Sequence, residues 1–304
     1  MLTPEVTPPV VGLLVGGGGG GEPPLPREGS RSAMSAAYTL GVIGVGQMGG
    51  ALVRGIVRAG ALAPAQIIVC DADSARATAL ASEVGAKAAA SNAEVARQSE
   101  YVLLAVKPGL VAGVVEEISG ELSDHKTLVS LAAGVLVTRL RKALGPVAVP
   151  IVRVMPNTPA LVGAGAFAVS APGVPEERVD TLVRLLGALG QVVVVGEELM
   201  DAVTGLSGSG PAFVFVMIEA MADAGVAAGL PRATAQLLAA QTVMGAAKMV
   251  LETGQHPAAL KDAVASPGGT TIAGLAELEK GGFRAAMVAA IRAAAARSKQ
   301  LSES

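Results

Sequence analysis

The chain has no tryptophan, four Phe, two Tyr, one cysteine and two histidines in 304 residues, and little excess of either charge. Each scarcity removes a class of function. Nucleic-acid surfaces combine clustered Lys and Arg with stacking aromatics. Neither is visible at a net charge of −2, so no nucleic-acid partner is expected. The lone Cys70 excludes an internal disulfide and fits a reducing compartment, which makes a cytoplasmic location the expectation. His125 and His256 are far apart, so no His/Cys metal site is expected. No uncharged run of about eighteen residues escapes interruption by Pro, Gly or Asn, and no membrane span is expected.

What the chain does have is small and apolar. Hydrophobic residues make up 51% of it, carried by Ala and Val and accompanied by 39 Gly, a composition suited to helices packed closely on a sheet. The length suffices for two domains with a sizeable core. Residues 1–37 stand apart. A hexaglycine run, Gly16–Gly21, lies between Pro8-Pro9 and Pro23-Pro24, a composition that stays flexible. The apolar piece Val10–Val15 is short, no basic residue precedes it, and Glu5, Glu22 and Glu28 surround it, which fits neither a signal nor a transit peptide. A disordered extension is expected there, with Met34 as the natural beginning.

The rest is organised around Leu40–Gly50, where a short apolar run ends in Gly44-x-Gly46-x-x-Gly49 and a helical pattern follows at once. In that order the spacing has a physical meaning. Gly44 lets the strand turn tightly, Gly46 lets the backbone approach a pyrophosphate, and Gly49 lets the helix lie close on its strand. The free N–H groups and positive helix end then face the phosphates. Met48, Ala51, Leu52, Gly55, Ile56 and Ala59 form the buried stripe of that helix, and Gly60 stands where a glycine would stop it. Strand and helix patterns then alternate through Gln66–Cys70, Tyr101–Val106, Thr127–Leu131, Ile151–Met155, Gly165–Ser170 and Gln191–Val195. This predicts a Rossmann-like α/β domain over 38–196, a mostly parallel, doubly wound sheet with Gly44–Gly49, Asp71, Lys107, Ala132 and Asn157 on one rim.

Over 197–304 the strand pattern stops, and an all-helical domain is expected. The segments Pro211–Ala228 and Ala233–Leu251 are apolar almost all round, with Phe213–Ile218 and Met221 in the first and Leu237, Leu238, Met244 and Met249 in the second. Helices without a polar face must be enclosed, and about a hundred residues can hardly enclose two such helices alone. A subunit interface is the expected cover. A membrane is the rival reading, weakened by Gln236, Gln241 and Lys248.

Residues that normally move protons are scarce. The best substrate contact is Ala265-Ser266-Pro267-Gly268-Gly269-Thr270-Thr271-Ile272. Ser266 reads as an N-cap and Pro267 as the first helical residue, with two glycines in the first turn. A carboxylate there would meet the N–H groups of Gly269, Thr270 and Thr271 at a positive helix end. An ordinary capped helix start is the plain alternative. His256-Pro257 reads as another cap, Lys107 as a cofactor contact or a solvated lysine, and Lys248 as a snorkelling side chain. Glu197, Glu198 and Asp201 read as helix-start charge, with Glu197 kept as a candidate substrate contact. Hydride transfer explains the scarcity, because a nicotinamide carries the reaction and the protein positions the partners.

Taken together, Ala105–Pro108, Val154–Pro159, Asp201–Pro211, Gln255-His256-Pro257, Leu260-Lys261-Asp262 and Ser266–Thr271 resemble the motifs of the pyrroline-5-carboxylate reductase family, in their order, from about Leu40 to Leu301. The resemblance implies reduction of (S)-1-pyrroline-5-carboxylate to L-proline with NADPH or NADH. It implies that Ile43, Gly44, Val45, Gly46, Gln47 and Met48 hold the pyrophosphate. Cys70, Asp71 and Ala72 would lie by the adenine ribose with Asn92 on the adenosine side, and Ala105, Val106, Lys107, Pro108, Leu131, Ala132 and Ala133 would line the rest of the cofactor. Ser266, Gly269, Thr270 and Thr271 would bind the substrate carboxylate, and Thr271 would hydrogen-bond the ring nitrogen as the catalytic threonine. It also implies homodimers with intertwined helical domains, often built into decamers.

One departure concerns cofactor choice. Asp71 lies at the end of the second strand, where an acid usually holds the ribose 2′-OH of NAD. A 2′-phosphate would be repelled there unless Arg76 or backbone donors compensate. NADPH with NADH usable is the expectation. Two rivals remain. A β-hydroxyacid dehydrogenase would need a lysine four residues after a glycine on the first interdomain helix, where Gly210 is followed by Val214. A protein that binds NADPH without turnover would have no use for the Ser266–Thr271 turn.

Overall fold

Apolar segments rich in β-branched residues alternate with helices in β1 (Tyr38–Ile43), α1 (Gln47–Arg58), β2 (Ile67–Cys70), α2 (Ser74–Val84), β3 (Lys87–Ala88), α3 (Asn92–Gln98), β4 (Ser99–Leu104), α4 (Val111–Ile118), β5 (Thr127–Ser130), α5 (Val137–Leu144) and β6 (Ile151–Met155). The computed structural model describes residues 36–303. The extension expected over 1–37 lies, but for Ala36 and Ala37, outside the described residues. The six strands are parallel in the order β3-β2-β1-β4-β5-β6. The sheet continues with β7 (Gly165–Ser170), antiparallel to β6, then α6 (Glu176–Gly187) and β8 (Gly190–Val194), parallel to β7. This is the doubly wound, mostly parallel sheet expected from the alternation.

Helices cover both faces, so strands such as β2 and β5 are buried at every residue, and β2 reads as an unbroken apolar run. On one face α1 contributes Leu52 and Ile56 to a core with Leu80, Phe167 and Leu186; on the other, Val95, Val115, Ile118 and Leu140 pack together. Burying one such Leu or Ile stabilises the fold by about 2 kcal/mol. Glycine brings α1 close to the sheet: a Cβ on Gly49 would run into the Gly44 carbonyl oxygen, and one on Gly55 into Leu189. Gly60, at φ +67°, ends the helix as expected. Strand order reverses between β1 and β4, and Ile43 is in register with both Cys70 and Leu104. The carboxyl ends of three strands therefore border one crevice, the place where such sheets take ligands.

Beyond Val194 the described residues form helices and turns only: α7 (Met200–Val203), a π-helical turn Thr204–Gly208, α8 (Gly210–Ala227), α9 (Arg232–Thr253), α10 (Pro257–Ala263), α11 (Thr270–Lys280) and α12 (Phe283–Glu303). α8 packs on α9, and α12 packs on α7 and the π-helical turn. Gly205 allows that last contact, since a Cβ there would meet the Ile291 carbonyl oxygen at 2.7 Å. Ser298 Oγ donates to Asp201 Oδ1 at 2.6 Å across the same seam.

One expectation needs correcting. Gly and Pro do not interrupt the first helical run, because Gly205 and Gly208 are absorbed into the π-helical turn and Pro211 occupies the first turn of α8. Glu197–Ala227 is thus a continuous helix long and apolar enough, by length and composition, to cross a membrane. In the single chain its outer face is uncovered: Phe215 and Val216 on α8, like Leu237, Leu238 and Met244 on α9, are exposed.

Candidate active site

The turn after β1 has the geometry its sequence predicts. Gly44 sits at φ +92°, the left-handed region that glycine reaches without strain, and its N–H donates to the Cys70 carbonyl at 2.8 Å. A Cβ there would press on the Ala105 carbonyl oxygen at 2.8 Å. Gly46 is the N-cap of α1, and the space where its Cβ would be is open to 4 Å. The first bond of the helix runs from Gly50 N–H to the Gly46 carbonyl, so Gln47, Met48 and Gly49 have N–H groups with no partner inside the helix. Open space before a glycine, outward N–H groups and a positive helix end make a cradle that fits a pyrophosphate.

Beside it, Asp71 holds the loop. Its Oδ2 accepts from Val45 N–H at 2.7 Å, and its Oδ1 accepts from Asp73 N–H at 3.0 Å. Asp73 caps α2 by accepting from Arg76 N–H at 3.3 Å, and the Arg76 guanidinium lies 3.6 Å from Asp71 and 3.4 Å from Asp73. Cys70 is buried at the end of β2, and burial pushes its thiol up, which makes it a poor nucleophile. Ala72 is exposed, and Asn92 donates through Nδ2 to Glu117 on α4 at 2.9 Å.

The remaining rim follows strand by strand. Ala105 N–H donates to the Ile43 carbonyl at 2.8 Å and Leu131 N–H to the Leu104 carbonyl at 3.0 Å. The ends of β1, β4 and β5 are therefore stitched side by side, bringing Ala105–Pro108 and Leu131–Ala133 to the crevice with Ile43–Met48. Lys107 is exposed, just before the 3₁₀ turn Pro108–Leu110 that leads into α4. His256 is the N-cap of α10, with Nδ1 accepting from Ala258 N–H at 3.2 Å. That is the capping role its sequence suggested.

The Ser266–Thr271 turn differs from its expected form. Ser266 is not the N-cap and Pro267 is not helical. Gly268 lies at φ +66°, which no helix accepts, and Gly269 N–H closes the turn on the Ser266 carbonyl at 3.0 Å. Gly269 itself is the N-cap of α11. The two glycines thus sit outside the helix and cost it nothing. The Gly269 N–H expected to hold a carboxylate is already engaged. The unpaired first-turn donors are those of Thr270, Thr271 and Ile272, since Ala273 N–H makes the first helical bond, to the Gly269 carbonyl. Ser266, Thr270 and Thr271 are exposed, and α11 packs mainly on α12 rather than on the sheet.

Glu197, expected as a substrate contact, is engaged elsewhere. Its Oε1 accepts from Arg153 Nη1 at 2.7 Å and from Val137 N–H at 2.8 Å. Arg153 is buried in the middle of β6, and an isolated charge there would be costly. Asn157, just past β6, is also buried; its Oδ1 accepts from Ala166 N–H at 2.9 Å and its Nδ2 donates to the Ser207 carbonyl at 3.1 Å. These two residues fasten the end of the sheet to the start of the helices. Sequence reading missed Arg153, although a lone arginine inside the apolar run Ile151–Met155, followed by an acid at the next domain start, was the available signal. A cleft of about 730 Å³ between Leu136, Glu198, Asp201 and Lys299 lies beside this fastening and includes none of the cradle residues.

Two family models match separate parts of the chain. The family model for pyrroline-5-carboxylate reductase dimerisation matches residues 197–301, and that for NADP oxidoreductase, coenzyme F420-dependent, matches residues 39–134. The chain is similar to the pyrroline-5-carboxylate reductase of Glycine max, 49% identical over 268 residues, covering 88% of this chain and 97% of the relative. Among solved structures, a pyrroline-5-carboxylate reductase from Coxiella burnetii matches with a TM-score of 0.83 and 36% identity, over 88% of this chain and all of that one. A Plasmodium falciparum pyrroline carboxylate reductase with NADP bound matches with a TM-score of 0.78 and 34% identity, over 87% of this chain and 98% of that one.

Proposed function

The chain belongs to the pyrroline-5-carboxylate reductase family, and on that premise we propose that it reduces the C=N bond of (S)-1-pyrroline-5-carboxylate to L-proline, the last step of proline biosynthesis. The observation that carries the reading is the pairing of a pyrophosphate cradle at Gly44–Gly49 with a second helix end, at Thr270–Ile272, whose free N–H groups suit a small carboxylate. A reduced nicotinamide nucleotide supplies the hydride; the chain supplies placement.

The N–H groups of Gln47, Met48 and Gly49 bind the pyrophosphate, and Ala105–Pro108 with Leu131–Ala133 line the path to the nicotinamide. The N–H groups of Thr270, Thr271 and Ile272 bind the substrate carboxylate, and the Thr271 hydroxyl holds the ring nitrogen. Two anchor points fix the approach of a planar imine carbon, which lowers the entropic part of the barrier. A protonated imine accepts hydride better than a neutral one. A threonine hydroxyl is a poor acid, so the proton comes from solution and Thr271 holds it in place.

The carboxylate turn is exposed in one chain and α11 packs on α12, so the ring site is completed when a second copy covers the helical half. A homodimer through residues 197–301 is therefore part of the reading, with a decamer as the larger assembly. The same dimer covers the exposed apolar run Glu197–Ala227 without recourse to a lipid bilayer. NADPH is the expected cofactor, with NADH usable, and the cytoplasm the expected location.

Mixing purified protein with pyrroline-5-carboxylate and NADPH should lower the nicotinamide absorbance as proline appears; protein that binds NADPH without that decay would be a non-catalytic binder. Thr271→Ala should lower kcat by about a hundredfold, the effect of losing one oriented polar contact on the reacting group, with the Kd for NADPH near wild type. Loss of cofactor binding in that variant would contradict the role.

A further inference from the structure

We propose that Glu197 is a positioning residue for hydride transfer: its carboxylate, steered by the buried Arg153, fixes the short wall of residues 131–136 against which the nicotinamide end of the cofactor lies. The inference rests on the reductase reading above and gives Glu197 a role in it that needs no contact with substrate.

The wall connects β5 to α5. Cys70, Ile43, Leu104 and Ser130 are in register across β2, β1, β4 and β5. With the pyrophosphate at the end of β1 and the adenosine toward β2, a dinucleotide runs on toward β4 and β5, so the wall stands by its nicotinamide end. Leu131, Ala132 and Val135 are buried. At its start the wall is stitched to the sheet: Leu131 N–H donates to the Leu104 carbonyl at 3.0 Å, and Ala132 N–H to Ser130 Oγ at 3.4 Å. At its middle Gly134, at φ +71°, faces the end of α12, where a Cβ would touch the backbone of Leu301 and Ser302 at 3.5 Å. At its far end the Val137 N–H, the first of α5, donates to Glu197 Oε1 at 2.8 Å.

That last bond comes from outside the sheet, since Glu197 is the first residue of the region that matches the dimerisation family. Its side chain is 26% exposed and borders the cleft of about 730 Å³, so water competes for the carboxylate. Arg153 decides the contest. It stands one strand beyond Ser130 in the same row, is 6% exposed, and donates from Nη1 to the same Oε1 at 2.7 Å. A charge-assisted bond is stronger than a neutral one, and a buried guanidinium deprived of its counter-charge is costly. One oxygen therefore answers a buried charge and stops the wall at once. Hydride passes only when the nicotinamide C4 is set against the acceptor carbon. A wall free to drift at its α5 end would loosen that approach, while the pyrophosphate cradle, two strands away, kept its seat.

The test separates the wall from the fold. Val137 is the first residue of α5, and Leu136 before it is extended at φ −72° and ψ 153°, a place that accepts proline. Val137→Pro thus removes the one N–H and keeps the helix, Glu197 and Arg153. It should lower kcat about tenfold or more and weaken NADPH. The melting temperature should stay near wild type, and so should the Kd for 2′-phospho-ADP-ribose, which lacks the nicotinamide. A second comparison uses two uncharged pairs, because replacing both members of a buried ion pair often leaves stability unchanged. Arg153→Met with Glu197→Gln keeps an oxygen for Val137 and should turn over close to wild type. Arg153→Met with Glu197→Leu offers none and should reproduce Val137→Pro. Equal kcat in the two pairs, or wild-type kcat in Val137→Pro, would overturn the proposal. Equal losses of NADPH and 2′-phospho-ADP-ribose, the mark of general damage, would overturn it as well. Wild-type protein that binds NADPH without turnover would overturn the reductase reading instead, and the two Kd values would still decide the role of Glu197.

Discussion

In the sheet half of the chain β2 and β5 are buried at every residue, whereas the eighteen residues of α8 bury one, Ala222, and the twenty-two of α9 bury two, Ala235 and Ala239. The two halves are about equally rich in apolar side chains. They differ in what covers them. Parallel strands carry their own crossover helices, and each helix returns to the sheet before the next strand begins. α8 and α9 have only each other, and two cylinders apolar all round cannot hide their outer faces by pairing once. The first half closes on itself within one molecule, and the second leaves a face suited to another copy.

The comparison can be broken most forcefully at that face. Val216→Asp combined with Leu238→Asp would bury unpaired carboxylates in the interface, each costing several kcal/mol. The protein should become monomeric by light scattering and lose turnover, while NADPH still binds the sheet half. An assembled, active double mutant would show that these exposed side chains are not interface. A smaller effect is expected at the fastening between the halves. Arg153→Met leaves Glu197 without its buried counter-charge and should cost about 3 kcal/mol, read as a lower melting temperature at fixed protein concentration. The smallest change in stability, about 1–2 kcal/mol, is expected for Gly49→Ala. Its new methyl group meets the Gly44 carbonyl and should lift α1 from β1. That lift should weaken NADPH binding at least tenfold, and unaltered affinity would mean the cradle tolerates a looser seat.

The sheet half was legible in the sequence because its signals are local: a glycine spacing between a strand pattern and a helix pattern, and a stop such as Gly60, which ends α1 at φ +67° as expected. Misreadings arose where one residue type admits two local structures. Ser266-Pro267 has the letters of a helix start, yet Gly268 in the left-handed region delays the helix to Thr270. Gly205, Gly208 and Pro211 have the letters of a helix break, yet a π-helical turn and a first-turn proline keep Glu197–Ala227 continuous. Long-range pairing was the least legible of all. The lone Arg153 in an apolar run signals that a buried charge needs a partner, but the letters do not say which acid answers it, and Glu197 lies forty-four residues away.

The exposed face of α8 and α9 bears on dosage. On the proposed reading, a chain whose ring-holding turn lies in a half enclosed by a second copy would work in proportion to how often it meets that copy. Specific activity should therefore fall on dilution, and a pool of newly made chains should stay silent until it is dense enough to pair.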